Sequence, residues 1–192
     1  MLTAFKLRPY VATNIQPWIG YVTEYIAFLR GISPTNSTMA SLRECFDKAG
    51  FDHVSTILAT GNVRFSATLK SAVKLRQIVE KAMEDHLGRT FLPIIRTVEY
   101  VRDLVSTDPF GAETVADDAK KVITFLASEP LPKPPFPIMA DGVCIHRVIN
   151  LEAFTSYVPS SEGPVFMKML QQRFGKDITT RTLDTVRKCV RS

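Results

Sequence analysis

The chain has 192 residues, of which 45% are hydrophobic and 22% charged, with a net charge of +5. A chain of this length buries roughly 70% of the surface it exposes when unfolded, so it needs neither disulfides nor metal to fold. Twelve prolines and nine glycines are too few for a fibrous or low-complexity protein. No run of roughly 18 apolar residues offers a membrane span. Pervasive disorder, collagen, coiled coil and disulfide scaffold are excluded, leaving a mixed α and β protein expected in the cytoplasm.

The charge is uneven. Residues 168–192 carry seven basic side chains against Asp177 and Asp184, the whole excess of the chain. Such an end on a neutral body points to an anion site, to a nucleic-acid-facing patch, or to a solvated tail. Cys45, Cys144 and Cys189 are odd in number and far apart, with no C-x-x-C pair, as expected of free thiols in a reducing compartment.

Residues 1–20 hold only Lys6 and Arg8 as charges, and Pro9, Asn14, Gln16 and Pro17 interrupt any amphipathic helix. They read as an extension outside the fold, whose core begins near Val22. Residues 21–30 are rich in β-branched and aromatic residues, a strand broken by Gly31 and Pro34. A helix follows, capped by Asn36, Ser37 or Thr38, with Met39, Leu42, Phe46 and Ala49 at helical spacing and Gly50 at its end. A strand at 53–59, a two-residue Gly61-Asn62 hairpin and a strand at 62–66 come next. A helix over about 69–87 ends at Gly88. The strand at 91–96 carries Pro93, which favours a sheet edge.

The order is β-α-β-β-α-β, that of the ferredoxin-like fold or α-β plait. The second half reads as a looser copy. Thr97 caps a helix over 98–106, a strand spans 121–127, and five prolines forbid a helix over 130–137. A strand at 143–149 follows, then a helix from Pro164 to Gly175. An extended piece at 177–181 leads to a basic C-terminal helix from Thr182. The expectation is an α+β protein of two tandem ferredoxin-like subdomains packed together, at 21–97 and 98–192.

No phosphate-binding loop, dinucleotide fingerprint, zinc-protease motif or nucleophile elbow is present, and no acid, base or nucleophile set is legible. No metal-ligand cluster and no cofactor motif appear. Cys144 and His146 share a strand face, but by strand rise they stand about 7 Å apart, beyond direct hydrogen bonding. Thr179, Thr180, Arg181 and Thr182 precede the last helix, where unpaired backbone N–H groups and the helix dipole attract anions. Capping by Thr182 explains part of the same residues. Arg30 and Gly31 form a related strand-end turn, and Lys168 adds a third basic group.

YIAFLRGI at 25–32 and MASLRECFDKAGFDHVSTILATGNVRFS at 39–66 resemble the opening of the domain of unknown function 1697 family. Its pattern runs approximately Y-V-A-L-L-R-G-I-N-V-G-G, then M-x-x-L-R, G-F and S-G-N-V-x-F. Asp108-Pro109-Phe110, Lys168-Met169-Leu170 and Thr179-Thr180-Arg181 extend the resemblance across about 22–190. It implies two ferredoxin-like subdomains and no established activity. Ser33-Pro34-Thr35-Asn36 replaces the Asn-Val-Gly-Gly of the pattern, and Arg181-Thr182-Leu183 replaces an Arg-Asn-Trp. These departures imply altered specificity or a structural relative without the activity.

The leading functional expectation is binding of a small anionic, phosphate-bearing ligand. Arg30, Lys168, Thr180 and Arg181 supply charge and hydrogen bonds, and Gly31, Gly61 and Asn62 shape the turns. Loss of Arg181 is then expected to abolish binding and leave the fold intact. The alternatives are a nucleic-acid-binding module using the basic C-terminal end and a protein–protein interaction domain.

Overall fold

The structure, a computed structural model, describes residues 21–68, 71–106, 108–129, 135–159 and 165–191. The expected extension at 1–20, most of the proline-rich stretch and Pro164 lie outside these residues. The chain is a mixed α+β protein with two antiparallel sheets and, among the described residues, five helices.

The first half contains β1 (Thr23–Leu29), α1 (Met39–Lys48), β2 (Asp52–Ile57), β3 (Asn62–Ala67), α2 (Ala72–Leu87) and β4 (Pro93–Thr97). Its strands lie in the order β2-β3-β1-β4, all antiparallel. Pro93 is on edge strand β4, where the missing N–H costs no ladder bond. Thr38 caps α1 by accepting from the Ser41 N–H at 3.1 Å, which settles the choice among three capping residues. Ser71 caps α2, so that helix starts at Ala72 rather than 69, and Gly88 ends it in the left-handed conformation at φ 65°.

The hairpin between β2 and β3 departs from expectation. Ile57 pairs with Asn62, so the loop is Leu58–Gly61, four residues long. Leu58 and Gly61 take the positive φ values. Asn62 is the first residue of β3 and is wholly buried, not a turn residue.

The second half has α3 (Val98–Ser106), β5 (Lys120–Leu126), β6 (Ile138–Ala140), β7 (Val143–Ile149), β8 (Glu152–Tyr157), α4 (Val165–Phe174), β9 (Ile178–Thr182) and α5 (Leu183–Arg191). Its sheet runs β6-β7-β8-β5-β9. Thr97 accepts from the Tyr100 N–H at 3.2 Å and so caps α3, as read from the sequence. Strands β6 and β8 escaped that reading. Central strand β8 begins with Glu152 and Ala153, both poor strand formers, and its apolar residues do not alternate with polar ones. Its signal was Asn150, which takes φ 53° in the two-residue turn between β7 and β8.

Three apolar clusters hold the layers together. One face of the first sheet packs on α1 and α2 through Leu42, Phe46, Phe65, Leu75 and Met83. Its other face meets the second sheet directly, Phe28 stacking on Phe125 with ring centroids 4.1 Å apart. Helices α3 and α5 complete that middle layer through Val101, Val105, Leu183 and Val186. Leu170 of α4 covers the far face of the second sheet with Leu126 and Ile145. Among the described residues, no helix is long and apolar enough to cross a membrane.

Candidate functional site

Arg181 stands on β9, paired with Ile123 across the sheet, and its side chain is buried. Its fork turns inward. Nε donates to Asn62 Oδ1 at 2.5 Å, and Nη1 donates to Thr179 Oγ1 and the Thr180 carbonyl, both at 2.8 Å. Nη2 donates to the carbonyls of Leu29 and Thr60, both at 2.8 Å, and of Gly61 at 3.2 Å. A guanidinium has five N–H groups, and every nitrogen here is engaged. Burial pulls its pKa down to about 10, still well above neutrality, so it stays charged. With its donors spent on the protein, Arg181 joins the two halves instead of presenting a fork to a ligand.

The structure therefore brings Gly61, Asn62, Thr180 and Arg181 into one junction. Asn62 completes it by donating through Nδ2 to the Ile57 carbonyl at 2.8 Å and to Thr60 Oγ1 at 3.0 Å. Gly61 is required by its backbone. At φ 72° an added Cβ would sit 2.6 Å from Ile32 Cγ1 and 2.8 Å from Ile32 Cβ. Gly61→Ala is expected to cost about 2–4 kcal/mol, from the left-handed conformation plus overpacking, read as a lower urea midpoint.

The other expected site residues lie apart from this junction. Gly31 closes the turn after β1, its carbonyl accepting from Asn36 Nδ2 at 2.7 Å. Asn36 Oδ1 also accepts from the Ser33 N–H, so this one side chain ties together the segment that departs from the family pattern. The Arg30 N–H donates to the Leu92 carbonyl, and Lys168 lies exposed on α4. Thr180 turns its hydroxyl toward Met167 of α4, at 3.8 Å from the sulfur.

A different set of cations lines a cleft of about 480 Å³ beside the start of α5. Lys120 and Lys121 come from β5, Thr182 and Leu183 from the β9–α5 junction, and Arg187 from the second turn of α5. Asp108 and Asp184 also line it, leaving one positive charge in excess. Thr182 Oγ1 accepts from the Thr185 N–H at 3.3 Å, so the cap read from the sequence is in place. Lys120 and Lys121 were missed because they lie 67 and 66 residues before Arg187 and meet it only through the β5–β9 pairing.

Cys144 and His146 are closer than strand geometry suggested. A bulge between Ile145 and Arg147 brings Cys144 Sγ to 3.4 Å from His146 Nδ1. His146 Nε2 lies 2.8 Å from Ser156 Oγ, and Nδ1 lies 3.5 Å from Glu113 Oε2. Burial pushes the Cys144 thiol up and, against the pull of Glu113, the His146 pKa down. Both shifts oppose a thiolate–imidazolium pair.

Two antiparallel sheets with helices packed on them define a mixed α+β fold shared with a solved structure. The conserved bacterial protein SP0830 from Streptococcus pneumoniae superposes with a TM-score of 0.62 at 18% identity, covering 89% of this chain and 98% of that one. The family model described as protein of unknown function (DUF1697) matches residues 22–136, and the chain belongs to that family. The match stops before β9 and α5, so Arg181 and half of the residues lining the cationic cleft lie outside it. No curated protein matches the chain.

Proposed function

We propose that this protein binds a small phosphate-bearing anion in the cleft at the start of α5. The observation that carries the reading is the convergence of Lys120, Lys121 and Arg187 on that one cavity. The first-turn N–H groups of α5 add donors and a positive dipole end. Charge-assisted hydrogen bonds from these groups to a dianion are the stronger kind. Arg181 serves the site indirectly, by anchoring β9 and hence the helix start.

The strand order also repeats between the two sheets. The order β7-β8-β5-β9 repeats β2-β3-β1-β4, with no helix among the described residues of the connection where the first half has α1. We read the halves as two ferredoxin-like units divided near residue 97, with the cleft built entirely by the second. Free Cys45, Cys144 and Cys189 fit a cytoplasmic setting.

The test is titration of the full chain with pyrophosphate, followed by calorimetry. Saturable binding is expected, weakened roughly tenfold or more in Lys121→Ala and again in Arg187→Ala, each loss matching one charge-assisted bond. Affinity should also fall with added salt. Undetectable binding at millimolar pyrophosphate, or equal affinity in the double variant, would overturn the reading. Tight, steeply salt-dependent binding of oligonucleotides alone would transfer it to nucleic acid.

A further inference from the structure

The cleft beside α5 carries both signs of charge. Lys120, Lys121 and Arg187 line it together with Asp108 and Asp184. On α5 the two signs stand side by side, Arg187 Nη1 lying 3.9 Å from Asp184 Oδ1. That is beyond hydrogen-bond length, so neither group is consumed by the other. Asp184 keeps 86% of its side chain exposed, leaving its carboxylate open to a ligand.

The second carboxylate sits on a braced turn. Asp108 Oδ1 accepts from the Phe110 N–H, and the Asp108 carbonyl accepts from the Gly111 N–H, both at 3.1 Å. Arg147 Nη2 donates to the Pro109 carbonyl at 2.6 Å, and its Nη1 pairs with Glu113. Asp108 Oδ2 has no partner among the described residues. The same turn steadies a cation, because the Lys121 ammonium lies 5.6 Å from the centroid of the Phe110 ring. One loop thus sets an anion and a cation of the cleft in place, which lowers the ordering cost of binding.

Charge balance then narrows the ligand. Three cations and two carboxylates leave one positive charge in excess. A phosphate monoester is close to a dianion at neutral pH. Alone it exceeds that balance and lies against two carboxylates that repel it. An ammonium on the same molecule brings its net charge to one negative and gives the carboxylates a partner. Opposite charges 3.9 Å apart on α5 match an ester oxygen and an ammonium on adjacent carbons. The volume of about 480 Å³ leaves room for further substituents on those carbons.

Taking the phosphate reading of this cleft as the basis, we infer that its ligand is a zwitterionic phosphate monoester with an ammonium on the carbon next to the ester carbon. The phosphate faces Lys120, Lys121 and Arg187, and the ammonium faces Asp108 and Asp184. A lipid headgroup carries these groups as a phosphodiester, whose single negative charge underuses three cations. The ligand is therefore a free small molecule.

The test uses three esters of one shape: phosphoethanolamine, 2-hydroxyethyl phosphate and propyl phosphate, ending in ammonium, hydroxyl and methyl. Each is titrated into the full chain by calorimetry. Phosphoethanolamine is expected to bind about fivefold more tightly than the other two, the value of one partly exposed ion pair. In the double variant Asp108→Asn with Asp184→Asn, phosphoethanolamine should weaken and propyl phosphate strengthen, so the preference vanishes. A merely structural loss would weaken all three alike, and Asp108→Asn keeps an oxygen to accept from Phe110. Equal affinities in the unaltered chain, or 2-hydroxyethyl phosphate matching phosphoethanolamine, would overturn the inference and leave the anion reading standing. If none of the three binds while pyrophosphate does, the inference falls alone; if pyrophosphate fails too, both fall. Binding to phosphatidylethanolamine vesicles without binding to free phosphoethanolamine would overturn the assignment to a small molecule. The comparison within the unaltered chain decides the matter even if the double variant does not fold.

Discussion

Arg181→Met is expected to lower the stability of the protein by about 3–5 kcal/mol, measured as a fall in the urea midpoint. The substitution roughly preserves the length of the apolar stem but removes the donors serving the Leu29, Thr60, Gly61 and Thr180 carbonyls, Asn62 Oδ1 and Thr179 Oγ1. Each buried acceptor left without a partner costs about 1–3 kcal/mol, though such costs do not add fully. Relief of a buried charge offsets part of the loss, because the six bonds of this guanidinium all go to neutral oxygens. Arg181→Lys should lie between, since an ammonium has three donors and no planar fork. A change below about 1 kcal/mol in Arg181→Met would show that the junction does not hold the halves together. Loss of ligand binding in an Arg181 variant is consequently uninformative about contact, which is why the anion test rests on Lys121 and Arg187.

The second large effect belongs to Glu152. Glu152→Ala leaves the Arg96 guanidinium and Tyr100 hydroxyl without their shared acceptor and should cost about 3–5 kcal/mol, as removal of one partner of a buried ion pair does. The double variant with Arg96→Ala should lose less than the sum, and strict additivity would mean that the pair is not coupled. The same network predicts an alkaline effect. The folded Tyr100 phenol titrates near 12, while in the unfolded chain it titrates near 10. Between those values the folded state holds the proton that the unfolded state has lost. The Tyr100 contribution is therefore full below pH 10 and disappears as the pH rises through 12. The stability difference between the unaltered chain and Tyr100→Phe should shrink by roughly 1–2 kcal/mol across that window, allowing for partial solvent exposure. A difference that stays flat would show that the phenol is not shifted. Taking the difference cancels other groups that titrate there.

Local signals carried most of the first half. Thr38, Ser71 and Thr97 cap their helices, Gly50 and Gly88 end two of them, and Pro93 sits at a sheet edge. Each is a short-range preference of a side chain or of φ, so it is written in a few adjacent residues. The Gly61-Asn62 hairpin failed for a related reason. Asn and Gly tolerate left-handed φ, but here Leu58 and Gly61 take it, and Asn62 is drawn into the strand by bonds to Ile57, Thr60 and Arg181. Strand β8 failed because its middle position in the sheet rests on cross-strand partners from β5 and β7, which no local window contains.

The sequence by itself determined the α+β class, the order of elements through β4, the basic C-terminal end and the family. Composition, periodicity and capping are properties of neighbours along the chain, and a family pattern is a string of residues. Only the tertiary structure decided which basic groups meet. Arg181 looked like a ligand fork because its surroundings in sequence are threonines and a helix start. In the fold, four of its six hydrogen bonds go to residues 119 to 152 positions away. Lys121 read as the first residue of a strand and Lys120 fell just outside it, yet both line one cleft with Arg187. Glu152 drew no reading from the sequence, and the fold buries it completely as the shared acceptor of Arg96 and Tyr100. Hydrogen bonds and desolvation depend on separation in space, and strand pairing sets that separation over distances the sequence pattern does not record.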